Sequence, residues 1–459
     1  MPATTDIPPD SQSELDGTGI PSVVVPEAVP TDHHVGVPVD GLRDGHLLQF
    51  PILGANGVLL LAENSTITPR FKELLRARRV EGVLVNEQDA RGMGVECGST
   101  ASGGDAPFDP ELTRKLDELS ESGDLFTGNT GPQFKDKLVT HGCEGYSGEQ
   151  RERLVKDHAE TSSLLNDMVR SAANGKPLNG GDIATVVSGY LTHLTLDSDC
   201  VVDVVNAASG YAKLAEQSLN TSLLGMSLAI EMGMDEENVR LTGLGGLLHD
   251  WGMTRVPLSI RESKKVLTQA EFTQIQKHPI HTLEMLQRIR GIPSQVPLIC
   301  YQIHEQPNGR GYPRGRRNKQ IHPCAGILKV ADAFNALMSP RLYRSALMPY
   351  AALECLLRNA AERVYDPEIV RSLLHVMSLF PIGSTIALND GSIARVIRRN
   401  GNNFANPVVQ IIQNRDGSAL TRFQVVDMSQ DKRKIVRAIA TPGKNEVALS
   451  PDVVVRRRD

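Results

Sequence analysis

From about residue 149 to residue 380 the apolar residues return at helical spacing, and no other feature restricts the fold as much. The stretches "VVDVVNAASGYAKLAEQSLNTSLLGMSLAIEMGM", "EFTQIQKHPIHTLEMLQRI", "GILKVADAFNALM" and "PYAALECLLRNAAERV" all keep this period. Chains of this kind bury their apolar stripes by packing helix on helix, so an all-α domain is expected over residues 149–380. The pattern changes on both sides. "HLLQFPILGANGVLLLAENSTIT", a helix-spaced "PRFKELLRARRV" and a strand-like "EGVLVN" predict a small α+β module over 36–88. "IGSTIALNDGSIARVIRRN", "NPVVQIIQNRDGSAL" and "TRFQVVDMS" alternate polar and apolar residues around Asp-Gly turns, which predicts a small β module over 381–459. Residues 1–35, rich in Pro, Ser, Asp and Gly, read as a disordered leader, and 89–148, studded with Gly, as a flexible linker. The expected fold class is a multidomain, mainly α protein.

Composition narrows the functional classes. A formal charge of -5 on 459 residues argues against a nucleic-acid polymer or a membrane surface as partner, and the basic "VVVRRRD" terminus reads as a solvated end. The six cysteines are scattered without zinc-type spacing, which predicts reduced and mostly buried thiols. The first residues lack the basic start and apolar block of a secretory signal, and no run is long enough to cross a bilayer, so a cytoplasmic location is expected.

The helical stretch also carries His249, Asp250, His278, His304 and Asp332. Any one of these histidines alone is more often a satisfied structural residue than a ligand. Together, imidazole nitrogens and carboxylate oxygens suit Fe, Mn, Zn or Ni, and a carboxylate has two oxygens with which to bridge two ions.

The context of these residues is more specific. "LLHDWGM" is followed by His278-Pro279, His304-Glu305, Gly311-Tyr312-Pro313, "VADAFNAL" and "SPRLYRSAL", in that order over about residues 155–375. This set resembles the HD-GYP family, helical metal-dependent phosphodiesterases that hydrolyse the bacterial second messenger cyclic di-GMP. The resemblance implies a divalent transition metal, Fe, Mn or similar, held by His249, Asp250 and Asp332, with Asp250 as bridge and catalytic centre and with His278 and His304 serving a second ion. It also implies that Arg341 and Arg344 grip phosphate and that Tyr312 lines the substrate pocket. A packing role for Tyr312 in its turn is an equal alternative.

The chain departs from the family's pattern at several of these places. Gln217 and Ile303 stand where the family carries histidines, Lys213 where some members carry a carboxylate, and Met253 where the pattern has a lysine. Asn335 replaces an aspartate and Thr282 a glycine. An amide is a poor transition-metal ligand and isoleucine is none, so one ion is expected in preference to two, or none at all. His281, one helical turn from His278, reads as a packing histidine. Three functions stay open: an active phosphodiesterase, a catalytically silent module that senses cyclic di-GMP or a related nucleotide or binds a signalling protein, and a scaffold. A homodimer through the helical domain is compatible with the sequence, which leaves the oligomeric state open.

Overall fold

The computed structural model describes residues 34–54, 59–77, 80, 82–93, 110–122, 128–207, 214–263, 267–340, 345–401, 403–439 and 444–445. The chain divides into two compact units, Met1–Gly104 and Asp105–Asp459.

The first unit holds strands β1 (His34–Pro38), β2 (Ile52–Leu53), β3 (Leu59–Leu61) and β4 (Gly82–Asn86), with helices α1 (Pro69–Ala77) and α2 (Glu87–Gly92). The strands form one antiparallel sheet in the order β1-β4-β2-β3. Val83 and Val85 alternate inward and pack with Val37, Leu42, Ile52, Ile67 and Leu75 of α1. The period of two in the sequence thus becomes one buried sheet face. Composition places His34 and Val35 in the leader, but they begin β1, paired with Asn86 and Val85. Pairing to an interior strand overrides their local sequence context. The rest of the predicted leader lies outside the described residues.

The second unit begins with helix α3 (Pro110–Ser122), inside the stretch expected to be a flexible linker. Its Leu116 is buried with Leu283, Leu298 and Tyr301, so this segment is held by an apolar contact that its Gly-rich flanks conceal. Next come α4 (Gly148–Ala173), strand β5 (Leu178–Asn179), α5 (Gly180–Ala207), α6 (Leu214–Glu231) and α7 (Glu236–Leu248). After these follow α8 (Leu258–Arg261), α9 (Gln269–Gln276), α10 (His278–Leu286), β6 (Ile289–Arg290) and α11 (Gln295–Gln302). Helix α12 (Pro323–Met338), strand β7 (Ala346–Leu347), α13 (Pro349–Ala361) and α14 (Pro367–Met377) complete the helical part. Strands β5 and β6 pair in parallel.

Helix α6 is buried along nearly its whole length, and α4, α5, α7, α12 and α14 pack around it. The glycines of α7 set how close this packing becomes. A Cβ on Gly246 would stand 2.5 Å from the Cα of Ser222, and one on Gly245 would stand 2.6 Å from Ile299. Only residues without side chains allow that approach. The close contact fixes the end of α7 against the core, and the end of α7 carries His249.

Strands β8 (Thr385–Leu388), β9 (Ile393–Arg398), β10 (Val408–Gln413), β11 (Ala419–Asp427) and β12 (Ile435–Ala438) form an antiparallel sheet in the order β11-β10-β9-β8-β12. A short β13 (Lys444–Asn445) pairs in parallel with β7. The Asp-Gly pairs noted in the sequence are turns, with Gly391 and Gly417 at φ 89° and 83°. Buried charge ties this sheet to the helices. Arg398 pairs with Asp197, each side chain at most 3% exposed, and Arg399 pairs with Asp199 at 2.5 Å. Among the described cysteines Cys200, Cys300, Cys324 and Cys355 are buried and Cys143 is exposed.

Candidate metal centre

Helix α7 ends because the chain turns after Leu248 into a 3-10 turn, Trp251–Arg255, with His249 as its C-terminal cap and Asp250 leading into the turn. Two contacts hold this turn on α10. Gly252 lies so near that a Cβ would stand 2.1 Å from the carbonyl oxygen of His278. The Thr282 hydroxyl accepts the Gly252 N–H at 2.9 Å and donates to the His249 carbonyl at 2.8 Å. The threonine that departs from the family's glycine is therefore an anchor for the His-Asp turn. His278 opens α10, His304 follows α11, and Asp332 projects from the middle of α12.

All five expected ligands converge. The Nε2 atom of His249 lies 3.6 Å from Asp250 Oδ2 and 3.9 Å from Asp332 Oδ1. The other Asp250 oxygen lies 3.2 Å from His278 Nε2 and 4.0 Å from His304 Nε2. Two groups of three ligand atoms result, His249-Asp250-Asp332 and Asp250-His278-His304, and Asp250 belongs to both. One carboxylate oxygen faces each group.

The hydrogen bonds behind the rings identify what fits between them. His249 Nδ1 lies 2.8 Å from the Gly246 carbonyl and His278 Nδ1 lies 2.7 Å from the Ile275 carbonyl, so each Nδ1 carries the proton and donates it. Their Nε2 lone pairs then face carboxylate oxygens, which repels unless a cation or a proton stands between them. His249 Nε2 is buried and makes no hydrogen bond. His278 Nε2 and His304 Nε2 approach to 2.9 Å, a separation that one shared proton satisfies in the protein alone. Burial opposes ionisation of Asp250, but the imidazoles of His249, His278 and His304 outweigh it and hold its carboxyl far below the usual range. Burial, reinforced by His278, pushes His304 well below the ordinary imidazole value. An ionised carboxylate with imidazole nitrogens on both sides suits a divalent transition ion.

Around these ligands is a cavity of about 120 Å³ lined by Gln217, Met253, Tyr312 and Asn335 among others. The half-buried Tyr312 ring stacks on His304, with centroids 4.9 Å apart and planes 9° apart. Gly311 precedes it because a Cβ there would stand 2.3 Å from the Gln306 amide nitrogen. Ile303 is fully buried in the core, directed to packing rather than to the cavity. Gln217 and Met253 do face the cavity, with an amide and a thioether. His281 lies 3.8 Å from Glu284 and belongs to neither ligand group. Arg341, Arg344 and Lys213 lie outside the described residues.

Sequence reading missed the supports of the Tyr312 loop. Glu305 is 1% exposed and accepts the N–H groups of Arg314 at 2.7 Å and Arg316 at 2.8 Å. From α3, Asp117 pairs with the Arg314 guanidinium at 2.9 Å and the Arg316 guanidinium at 2.7 Å. Ser120 accepts from Gln302 at 2.8 Å. The opposite charges of Asp117 and the arginines are visible in the sequence, but some two hundred intervening residues leave no periodic signal to connect them.

Comparison with known proteins agrees with the motifs. Residues 200–369 match the family described as HD domain, and residues 385–444 match the KOW domain associated with HD domain. The chain is 26% identical over 273 residues to the cyclic di-GMP phosphodiesterase PA4108 of Pseudomonas aeruginosa, covering 59% of this chain and 65% of that protein. It is 27% identical over 196 residues to the cyclic di-GMP phosphodiesterase PdeB of Borreliella burgdorferi, covering 42% of this chain and 51% of that protein. Identity reaches 36% over 148 residues with the cyclic di-GMP phosphodiesterase response regulator RpfG of Xanthomonas campestris, covering 32% of this chain and 39% of that protein. The chain thus spans half to two thirds of the length of the first two of these relatives. Residues 200–369 thus match an HD domain and residues 385–444 the KOW domain associated with it, and the three relatives named above are cyclic di-GMP phosphodiesterases.

Proposed function

We propose that this chain is a metal-dependent phosphodiesterase of cyclic dinucleotides, with cyclic di-GMP as its substrate and a capacity reduced by Met253 and Gln217. The observation that carries the reading is the convergence of imidazole lone pairs and ionised carboxylates on Asp250. A divalent cation bound there supplies Lewis acidity and lowers the pKa of water to near neutrality. The residues of the chain do the rest. Asp250 gives one oxygen to each side, the backbone carbonyls of Gly246 and Ile275 fix two rings by their Nδ1 atoms, and Tyr312 covers the face of His304. Met253 brings no positive charge to the phosphate side, which lowers transition-state stabilisation. One ion per chain is the expected occupancy, because Gln217 offers only an amide. Among the described residues no helix is long and apolar enough to cross a membrane, and a cytoplasmic second messenger suits that reading.

The presence of Gln217 and Met253 in the cavity favours a second reading, a silent module that holds the nucleotide without cleaving it. Turnover of cyclic di-GMP by the full chain with Mn or Fe, measured beside metal stoichiometry, separates the two. Linear product that disappears in His249→Ala and Asp250→Ala supports the enzyme. Saturable nucleotide binding with no product, or no retained metal, refutes it.

A further inference from the structure

A second cavity, of about 310 Å³, lies between the loop that follows His304 and the connection from α13 to α14. We propose that it binds a small phosphate monoester of at most mononucleotide size. Its walls carry the half-buried Lys329 and the exposed Lys319 and Arg363; among the described residues none of the three makes a direct ion pair, and Asp332 and Glu305 stand near enough to Lys329 to favour its charged form. Lys329 Nζ donates to the His304 carbonyl at 3.4 Å and stands over the face of Tyr365 at 5.9 Å. Both acids of the cavity are already engaged. Glu305 accepts the two loop N–H groups described above, and Asp366 accepts the Glu368 N–H at 2.8 Å as the cap of α14. The wall therefore carries three cations, Lys319, Lys329 and Arg363, against two acids, Glu305 and Asp366.

A helix terminus adds to that charge independently. Helix α12 starts at Pro323 and α14 at Pro367, and both first turns line the cavity. The Asp366 carboxylate meets the positive end of α14, whereas α12 is capped by the uncharged His322 imidazole and presents its positive end to this space, which favours an anion. Arg363 offers a planar fork suited to phosphate oxygens. The volume is at the lower end of the roughly 300–1,000 Å³ found for small-molecule sites, which sets the mononucleotide limit. Glu305 and Lys329 form the wall shared with the metal ligand His304, so the two sites stand back to back.

The test is calorimetric titration of the full chain with GMP and with inorganic phosphate. The proposal does not depend on phosphodiesterase activity, so binding is measured in wild type, in Asp250→Ala, and in Lys319→Gln and Arg363→Gly. Arg363 has φ 57°, where glycine is at ease, so Arg363→Gly removes the guanidinium without straining the backbone. The expected result is saturable GMP binding, tighter than that of phosphate, unchanged in Asp250→Ala and weakened about fivefold by each cation variant, as for the loss of one exposed charge pair. Absence of saturable binding overturns the proposal. So does loss of binding in Asp250→Ala, or affinity indifferent to both cation variants. GMP binding no tighter than phosphate overturns the assignment of a monoester.

Discussion

Replacing Thr282 by valine removes one oxygen and almost no volume, and the structure gives the consequence. The hydroxyl is fully buried, accepts the Gly252 N–H and donates to the His249 carbonyl. Valine leaves both backbone groups without partners in a space too tight for water, since Gly252 cannot accommodate even a methyl group beside His278. A buried polar group stripped of its partner costs about 1–3 kcal/mol, so the pair predicts a loss of about 2–6 kcal/mol. Thr282→Ser keeps the hydroxyl and forfeits one methyl, about 1 kcal/mol. The difference between the two variants isolates the hydrogen bonds from the packing. The protein provides its own probe, because its only tryptophan is Trp251, fully buried between the two bridged groups. Urea unfolding followed by its fluorescence reports the stability of this domain. Equal stability of the valine and serine variants would refute the anchoring role of Thr282. A weakened metal affinity in Thr282→Val, at unchanged affinity in Thr282→Ser, is the matching expectation for the site.

Further expectations concern the supports of the site and the core. Asp117→Ala should speed amide exchange at Arg314 and Arg316 at least about tenfold, the equivalent of ~1.4 kcal/mol of lost protection, while exchange in α6 and α7 stays unchanged; uniform exchange across the domain would mean that α3 does not hold the loop. Asp197→Ala leaves the buried Arg398 guanidinium with Asp199 at 3.7 Å and the Glu144 carbonyl at 2.7 Å and should cost up to about 3 kcal/mol in denaturant unfolding, whereas a loss under ~1 kcal/mol would show that these partners or water replace the pair. Burial depresses His158 and His322 to about 4 from the ordinary 6.5. Their unfolded forms take up protons below pH 6.5 and the folded forms do not until about 4, so the unfolded state binds more protons in that window. Stability should therefore fall by up to about 3 kcal/mol per residue as pH drops from 6.5 to 4, and His158→Gln should remove about half of that dependence in unfolding curves taken across the range.

Several elements could be read directly from the chain. The helical period of "SLNTSLLGMSLAIE" marks α6, and alternation with Asp-Gly turns marks the C-terminal sheet, because both signals are local and repeat within a few residues. The small residues of "GLGGLL" imply close helix packing, and the structure shows where, against Ser222 and Ile299. The motif order indicated an HD domain, since residue types at fixed places in a helical frame survive wide divergence elsewhere. Local signals were misleading where a distant partner dominates. His34 looks like part of a leader until Asn86 pairs with it, and α3 like part of a linker until Leu116 meets Tyr301.

By itself the sequence determined the helical and strand classes, the positions of the turns, and the five side chains able to ligate a metal. Tertiary structure alone decided that these five meet around Asp250, because their separation along the chain carries no information about distance once five helices fold over α6. It also decided that Ile303 packs into the core, that Thr282 bridges two backbone groups, and that Asp117 reaches across to the arginines beside Tyr312. Hydrogen bonds and ion pairs between distant residues depend on the geometry of the packed helices, and that geometry exists only after the apolar stripes have been buried.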